Sequence, residues 1–385
     1  MPAFVRKFPF RANLVNAQRE ARFETLSRAH LIGELPVKSV PSLDHEKARD
    51  ITAIALHPVA RAWRKLTNRQ AVPKSIEIIR ERVRRVEEIY RTTSKPFVYR
   101  LTGVGPDGSN VIAKRYECAA ASTECAIYQD VLPYLPVSTL RYCGLVADDD
   151  PKFCWLFLED AGEEPYLLNA EEHRVLAGRW LGVMNVAAQQ LRAAARLPDR
   201  GPGFYRKLLL ASRETIREIV ENSIFCDRDS TLLQTLISHC DAVERQWERI
   251  EQFCNRMPRT LVHGDFAIQN ARVRSVSTGN NLLLMDWEGA GWGSPAPDLA
   301  QFVGGSLSPD LGAYHAVVCA TWPGIGLADV ERLAEIGRMF RLVSSLDWAN
   351  AGYRPLEPDW YIEEVSWYER GLADWLRTVE VPRIR

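Results

Sequence analysis

No stretch of this 385-residue chain approaches the roughly 20 consecutive apolar residues that a membrane-spanning helix needs, so no membrane segment is expected. The N-terminal segment MPAFVRKFPFRANLVNAQREAR is basic but has no sustained apolar run, which argues against a secretory signal and leaves a cytoplasmic location as the default. None of the eight cysteines (118, 125, 143, 154, 226, 240, 254 and 319) forms a CxxC pair, and no Cys/His spacing suits zinc. They read as reduced thiols, mostly in the core. The patterns GxxxxGK[ST] and HExxH do not occur, which removes two classes of nucleotide and metal site. There is no internal repeat and no low-complexity tract.

Net charge is also missing, since 49 Lys and Arg balance 49 Asp and Glu, but the charge is unevenly spread. Residues 1–100 carry 21 basic against 10 acidic side chains, whereas 347–374 carry seven acids against Arg354 and Arg370. Two readings fit: differently charged solvated faces, or an acidic patch that attracts a cationic substrate. The remaining composition, 46% hydrophobic and 25% charged, is that of a globular chain long enough for two lobes with cores of their own.

Periodicity divides the chain. Residues 1–75 show weak patterning, several prolines and many arginines, and fit either a helical extension or an arm. Ile76, Ile79, Val83, Val86 and Tyr90 have helical spacing. The period then changes: Phe97–Leu101 reads as a strand, 106–110 as a turn and Val111–Tyr116 as the returning strand. A helix is expected near Ser122–Leu132 and a further strand at Trp155–Asp160. After Asn169 the pattern is mainly helical, with long segments at Glu171–Arg196 and Asp241–Asn255 interrupted by a β-rich interlude at Leu261–Trp287. A β-rich lobe at 76–160 and a larger helical lobe at 161–385 are therefore expected, behind an extension at 1–75.

The most informative segment is LVHGDFAIQN at 261–270, followed by LLLMDWE at 282–288. Phosphoryl transfer asks little covalent chemistry of a protein; it needs a carboxylate to orient the attacking hydroxyl and ligands to hold Mg²⁺ against the phosphates. Asp265 and Asn270 stand five apart in a loop, and Asp286 closes an apolar run as a strand-end ligand would. DxxxxN alone is no signal. Together with His-Gly-Asp and the downstream apolar-Asp-Trp-Glu it is a strong one.

These segments resemble the signature of the aminoglycoside phosphotransferase and choline kinase-like superfamily, distant relatives of the protein kinases. The segment GSPAPDLA at 293–300 fits as well. The resemblance spans roughly 85–375 and implies an α+β, bilobal protein kinase-like fold. It implies Asp265 as catalytic base, Asn270 and Asp286 as Mg²⁺ ligands, Asp298 as a brace for the catalytic loop, and His263 as an orienting rather than a reacting residue. ATP or GTP would be the phosphate donor. It also assigns Lys114, inside the returning strand, to the α/β-phosphates and Glu124, ten residues on, to holding that lysine. The segment LFLEDA at 156–161 resembles the hinge, placing Glu159 and Ala161 at the adenine edge through their backbone.

Some motifs are set aside. Gly103, Gly105 and Gly108 match GxGxxG, but a strand rather than a helix follows, so a dinucleotide site is excluded. Six residues from Gly108 to Lys114 also leave no room for a glycine-loop hairpin, and these glycines belong to a turn. The phosphate-covering loop is expected one strand earlier at Thr92–Lys95, with Ser94 as its contact. Asp148–Asp150 reads as a solvated turn rather than a metal cluster.

The acceptor is a small-molecule hydroxyl, and its identity is open among aminoglycosides, choline, amino sugars, homoserine and other alcohols. The C-terminal stretch is acidic and aromatic, with Asp347, Trp348, Asp359 and Trp360 as acceptor candidates beside Glu288. Such groups suit a cationic acceptor, although aromatics of this kind also serve as core anchors. A protein kinase is the weaker alternative, because HRD, DFG and APE do not occur; a non-catalytic pseudokinase is opposed by the intact Lys114, Glu124, Asp265, Asn270 and Asp286. Nucleic acid is not an expected partner, and oligomeric state is not legible.

Overall fold

The computed structural model describes residues 49–50, 57–68, 83, 85–90, 97–105, 108–118, 121–191, 194–222, 225–277, 279–355 and 358–379. Ser94 and the rest of Thr92–Lys95 lie outside the described residues. By its internal contacts the chain divides into two compact units: Met1–Gln129 with Thr139–Glu163, and Asp130–Ser138 with Glu164–Arg385.

The first unit is built on six strands: β1 (Arg49–Asp50), β2 (Val86–Tyr90), β3 (Val98–Leu101), β4 (Val111–Glu117), β5 (Tyr142–Ala147) and β6 (Phe153–Glu159). They form one antiparallel sheet in the order β1-β2-β3-β4-β6-β5. Period-two alternation sends Tyr99, Leu101, Val111, Ala113, Trp155 and Phe157 to one face. There they share a buried cluster with Val59, Ala62, Trp63 and Leu66 of helix α1 (Pro58–Asn68), and the Trp63 and Phe157 rings lie 5.3 Å apart. Part of the stretch read as an extension therefore belongs to the core of this unit. Helix α2 (Ala121–Ala126) follows β4 and continues into irregular helical turns through Tyr134.

The helical pattern read from Lys74 to Tyr90 is corrected at its C-terminal end, where Val86–Tyr90 is strand, and 74–82 and 84 lie outside the described residues. Val86 pairs with Leu101 and Glu87 with Arg100. The backbone hydrogen bonds of β3, and the β-branched and aromatic residues among these five, outweigh an accidental 3.6 spacing. Gly103 and Gly108 do sit in the β3–β4 turn, both at positive φ, with the Gly105 N–H donating to Ser109 O at 2.8 Å. The Asp148–Asp150 turn is engaged by cations: Arg115 holds Asp148, and Lys65 and Arg61 hold Asp149.

The second unit is mainly helical: α3 (Glu171–Ala188), α4 (Pro202–Asn222), α5 (Asp227–Arg245), α6 (Trp247–Asn255), α7 (Ala296–Leu299), α8 (Leu311–Val318), α9 (Leu327–Ala351) and α10 (Pro358–Thr378). The segment read as one helix to Arg196 stops at Ala188, and the one read from Asp241 begins at Asp227 and breaks at Gln246. Two small sheets interrupt the helices. One joins β7 (Asp199–Arg200), β11 (Gly291–Gly293) and β8 (Thr260–Val262); the other is the hairpin of β9 (Ala271–Val276) and β10 (Gly279–Leu284). Helix α9 is the axis of the unit and packs on α4, α7 and α10. Its Gly337 allows the approach to α7, since a Cβ there would lie 1.8 Å from the Ala296 carbonyl oxygen.

Candidate active site

In the first unit Lys114 and Tyr116 stand two apart on β4 and so face the same way. Helix α2 brings Glu124, fully buried, to both of them: Lys114 Nζ lies 3.2 Å from Glu124 Oε1 and 2.7 Å from the Tyr116 hydroxyl, which donates to Glu124 Oε2. An ammonium 13% exposed and a carboxylate with no exposure are stable together only as a hydrogen-bonded pair. Further along, the Glu159 carboxylate accepts from the Arg141 N–H at 3.0 Å, and the Glu159 and Asp160 N–H groups donate to Arg141 O and Asn110 O. Ala161 is buried, and its N–H has no hydrogen-bond partner among the described residues.

In the second unit the loop between β8 and β9 carries His263, Gly264, Asp265 and Asn270. Asp298, at the start of α7 and buried, accepts from the His263 N–H at 2.7 Å and the Gly264 N–H at 3.0 Å. One carboxylate thus satisfies two adjacent backbone donors. Gly264 has φ 80°, and a Cβ would meet the Gly289 carbonyl oxygen at 2.4 Å, so no other residue fits without backbone movement.

His263 is fully buried, with its ring 4.4 Å from that of Trp287. Its Nδ1 accepts from the Asp265 N–H at 3.3 Å, which leaves the proton on Nε2 to donate to Met285 O at 3.1 Å. The imidazole therefore ties the β8–β9 loop to the end of β10. Desolvation lowers its pKa to about 4, against the pull of Asp265 and Asp286, so the ring is neutral at ordinary pH. Burial pushes Asp298 the other way, up to about 7, opposed by the two N–H donors.

Asn270 donates from Nδ2 to Asp265 O at 3.1 Å and to Asp265 Oδ2 at 2.9 Å. Its amide oxygen is then the atom left for a cation. The Asn270 carbonyl accepts from the Met285 N–H at 3.0 Å, which binds the asparagine to the residue preceding Asp286. Asp286 itself is in the left-handed region, φ 70° and ψ 58°, and half-buried. Hard oxygen donors of this kind, two from the protein with the remainder from phosphate and water, suit Mg²⁺. Among the described residues no group of three or more His, Cys, Asp or Glu could hold a metal by itself.

A residue that the sequence reading missed enters from α9. Arg341 is 5% exposed, and one of its Nη atoms lies 3.4 Å from Asp265 Oδ1 and 2.9 Å from Gly304 O. The signal was present: a lone arginine inside the apolar run MFRLV at 339–343 has to find buried partners.

The sequence profile of the phosphotransferase enzyme family, APH, matches residues 93–324, well over half of the chain. The chain belongs to this family. The phosphotransferase shares its fold with solved structures of low identity. APH(2")-IIia in complex with GDP and kanamycin is 16% identical, with 76% of this chain and 94% of that one covered at TM-score 0.52. Choline kinase from Cryptosporidium parvum Iowa II is 12% identical, with 83% and 94% covered at TM-score 0.53. No curated protein sequence matches. The expected α+β, protein kinase-like architecture holds for this phosphotransferase, and no helix among the described residues is long and apolar enough to cross a membrane.

The acceptor candidates are less concentrated. Glu288 follows Asp286 by two residues in the turn Trp287–Gly289, and Asp347 is half-buried on α9. Trp348 and Trp360 meet edge to face with centroids 6.0 Å apart, so one ring already covers the other. Asp359 is exposed at the start of α10.

Proposed function

We propose that this phosphotransferase moves the γ-phosphate of ATP or GTP onto a hydroxyl of a small molecule, with Mg²⁺. The observation that carries the reading is the Asp265–Asn270 pair: a half-buried carboxylate oriented by the amide whose oxygen stays available to a cation. In this reading Asp265 aligns the acceptor hydroxyl and takes its proton as the new O–P bond forms and the bond from the γ-phosphorus to the β,γ-bridging oxygen breaks. Asn270 Oδ1 and the Asp286 carboxylate would hold Mg²⁺, which supplies charge neutralisation at the phosphates. Lys114, fixed by Glu124, contacts the α/β-phosphates, and the Ala161 N–H meets the base edge. His263 and Asp298 keep the loop in shape. Support comes from the donor set and from relatives of the same fold, one of them complexed with GDP and kanamycin.

The test is nucleotide-diphosphate release with Mg²⁺ across kanamycin, spectinomycin, choline, ethanolamine and amino sugars, beside Asp265→Ala. Acceptor-dependent release that falls at least about 10³-fold in the variant, with nucleotide affinity kept, is expected. Wild-type turnover in Asp265→Ala would refute the assignment. Absence of release with every acceptor would favour a nucleotide-binding protein without transfer.

A further inference from the structure

Asp265 is gripped on both oxygens, by Asn270 on Oδ2 and by Arg341 on Oδ1. The two grips differ in kind. Asn270 belongs to the same loop, five residues on. Arg341 is 76 residues away in sequence and comes from the helix on which the unit is built.

The guanidinium is itself held by backbone. Its short contact, 2.9 Å, goes to the Gly304 carbonyl, and its longer one, 3.4 Å, to the carboxylate. The segment around Gly304 is in turn fixed: the Phe302 N–H donates to Ser308 Oγ at 2.7 Å, the Val303 N–H to Ser306 Oγ at 3.2 Å, and the Ile268 N–H to Gly305 O at 2.9 Å. Phe302, Gly304, Gly305 and Ser308 all have positive φ, so this path is imposed by its hydrogen bonds. Residue 268 lies in the catalytic loop, so the frame that holds the guanidinium is bonded to the loop that carries Asp265. One turn before Arg341 on α9, Gly337 sets the depth at which the helix sits against α7.

We infer that Arg341 is a positioning residue for phosphoryl transfer: a guanidinium fixed by the Gly304 carbonyl selects the side-chain orientation in which Asp265 meets the acceptor hydroxyl. The inference rests on the reading of Asp265 as the group that aligns the acceptor. A cation placed only to balance buried carboxylate charge would make its shortest contact to the carboxylate. Lysine cannot replace the planar fork, because a single ammonium does not present donors in that fixed geometry.

The experiment compares wild type, Arg341→Lys, Arg341→Gln, Arg341→Ala and Asp265→Asn. The probe is whichever acceptor of the panel above turns over, and acceptor-free MgATP hydrolysis where none does. A displaced carboxylate lowers kcat, since misplacement by about 1 Å costs on the order of 10²-fold. Expected is a kcat loss of roughly 10–100-fold in Arg341→Lys and Arg341→Gln, with the nucleotide KM within about twofold of wild type. Millimolar guanidinium should restore part of the turnover of Arg341→Ala, whereas methylammonium should not. Turnover within about twofold of wild type in Arg341→Gln overturns the inference. So does a loss spread over kcat and nucleotide KM with a lowered melting temperature and no guanidinium rescue, because that is a structural brace. Arg341→Lys keeps the buried charge and so a folded protein in which to read the result. Turnover in Asp265→Asn, or none of either reaction in wild type, would instead overturn the underlying reading of the site.

Discussion

Asp298 and His263 make opposite demands on pH, and this can be measured. Burial raises the Asp298 carboxyl to about 7, against roughly 3.9 when unfolded. Between those values the native state binds a proton that the unfolded chain has released, so stability falls as pH rises. The slope is up to about 1.4 kcal/mol per pH unit, or about 4 kcal/mol across the window. His263 is lowered to about 4, against roughly 6.5 when unfolded. Between those values the unfolded chain binds the proton, so stability rises with pH, by about 3 kcal/mol in total. The two windows overlap from about pH 4 to 6.5, where the contributions of the two groups nearly cancel. Removing one exposes the other. Relative to wild type, Asp298→Asn should gain stability steadily from pH 4.5 to 6.5, and His263→Gln should lose it. Urea unfolding midpoints at three pH values, taken as differences from wild type, remove the titration of all other groups. An Asp298→Asn curve parallel to wild type would refute the reasoning, and would mean that the two N–H donors keep Asp298 ionised in spite of its burial.

Two further predictions concern backbone in the left-handed region. Gly264→Ala adds a Cβ 2.4 Å from the Gly289 carbonyl at φ 80°, and should cost at least about 2–3 kcal/mol. A loss under about 0.5 kcal/mol in urea unfolding would show that the turn adapts freely. Asp286→Gly removes the strain of a Cβ at φ 70°, so its stability should exceed that of Asp286→Ala by about 1 kcal/mol, while neither variant should keep the thermal shift that MgATP gives wild type. A retained shift in both variants would remove Asp286 from the nucleotide-metal site.

The β3–β4 hairpin and the loop at 261–270 were legible because their signals are local. A turn flanked by alternating strands announces a hairpin, and DxxxxN followed by a strand-end Asp falls within the 26 residues 261–286. What was not legible depends on distant partners. Val86–Tyr90 has helical spacing and becomes a strand because β3 lies beside it. The apolar face of α1 is too short to show what it covers, and its meaning comes from Tyr99, Trp155 and Phe157. Arg341 carried a warning in its apolar neighbours, but nothing in the sequence connects position 341 to position 265. The acidic, aromatic C-terminal stretch resolves into dissimilar environments, with Trp348 buried against Trp360 and Asp359 in solvent.

The functional reading also has support that does not depend on resemblance. Local rules of stability are broken repeatedly at one place in the second unit. A non-glycine residue, Asp286, adopts φ 70°. A buried carboxylate, Asp298, is paired with backbone N–H groups. A buried histidine, His263, is held neutral, and a buried arginine, Arg341, approaches a carboxylate at 3.4 Å while bonding more tightly to a carbonyl. Glycine at 286 would relieve that strain, whereas the buried charged and polar groups carry a desolvation cost that only their fixed hydrogen bonds offset. Arg341 contacts the Asp265 carboxylate directly, and His263 and Asp298 bond the backbone beside it; the Asp265 side chain is 21% exposed and so remains reachable from solvent. A reachable carboxylate set among fixed polar and charged groups is what an active site predicts, because the chemistry requires charge and fixed geometry where packing would favour neither.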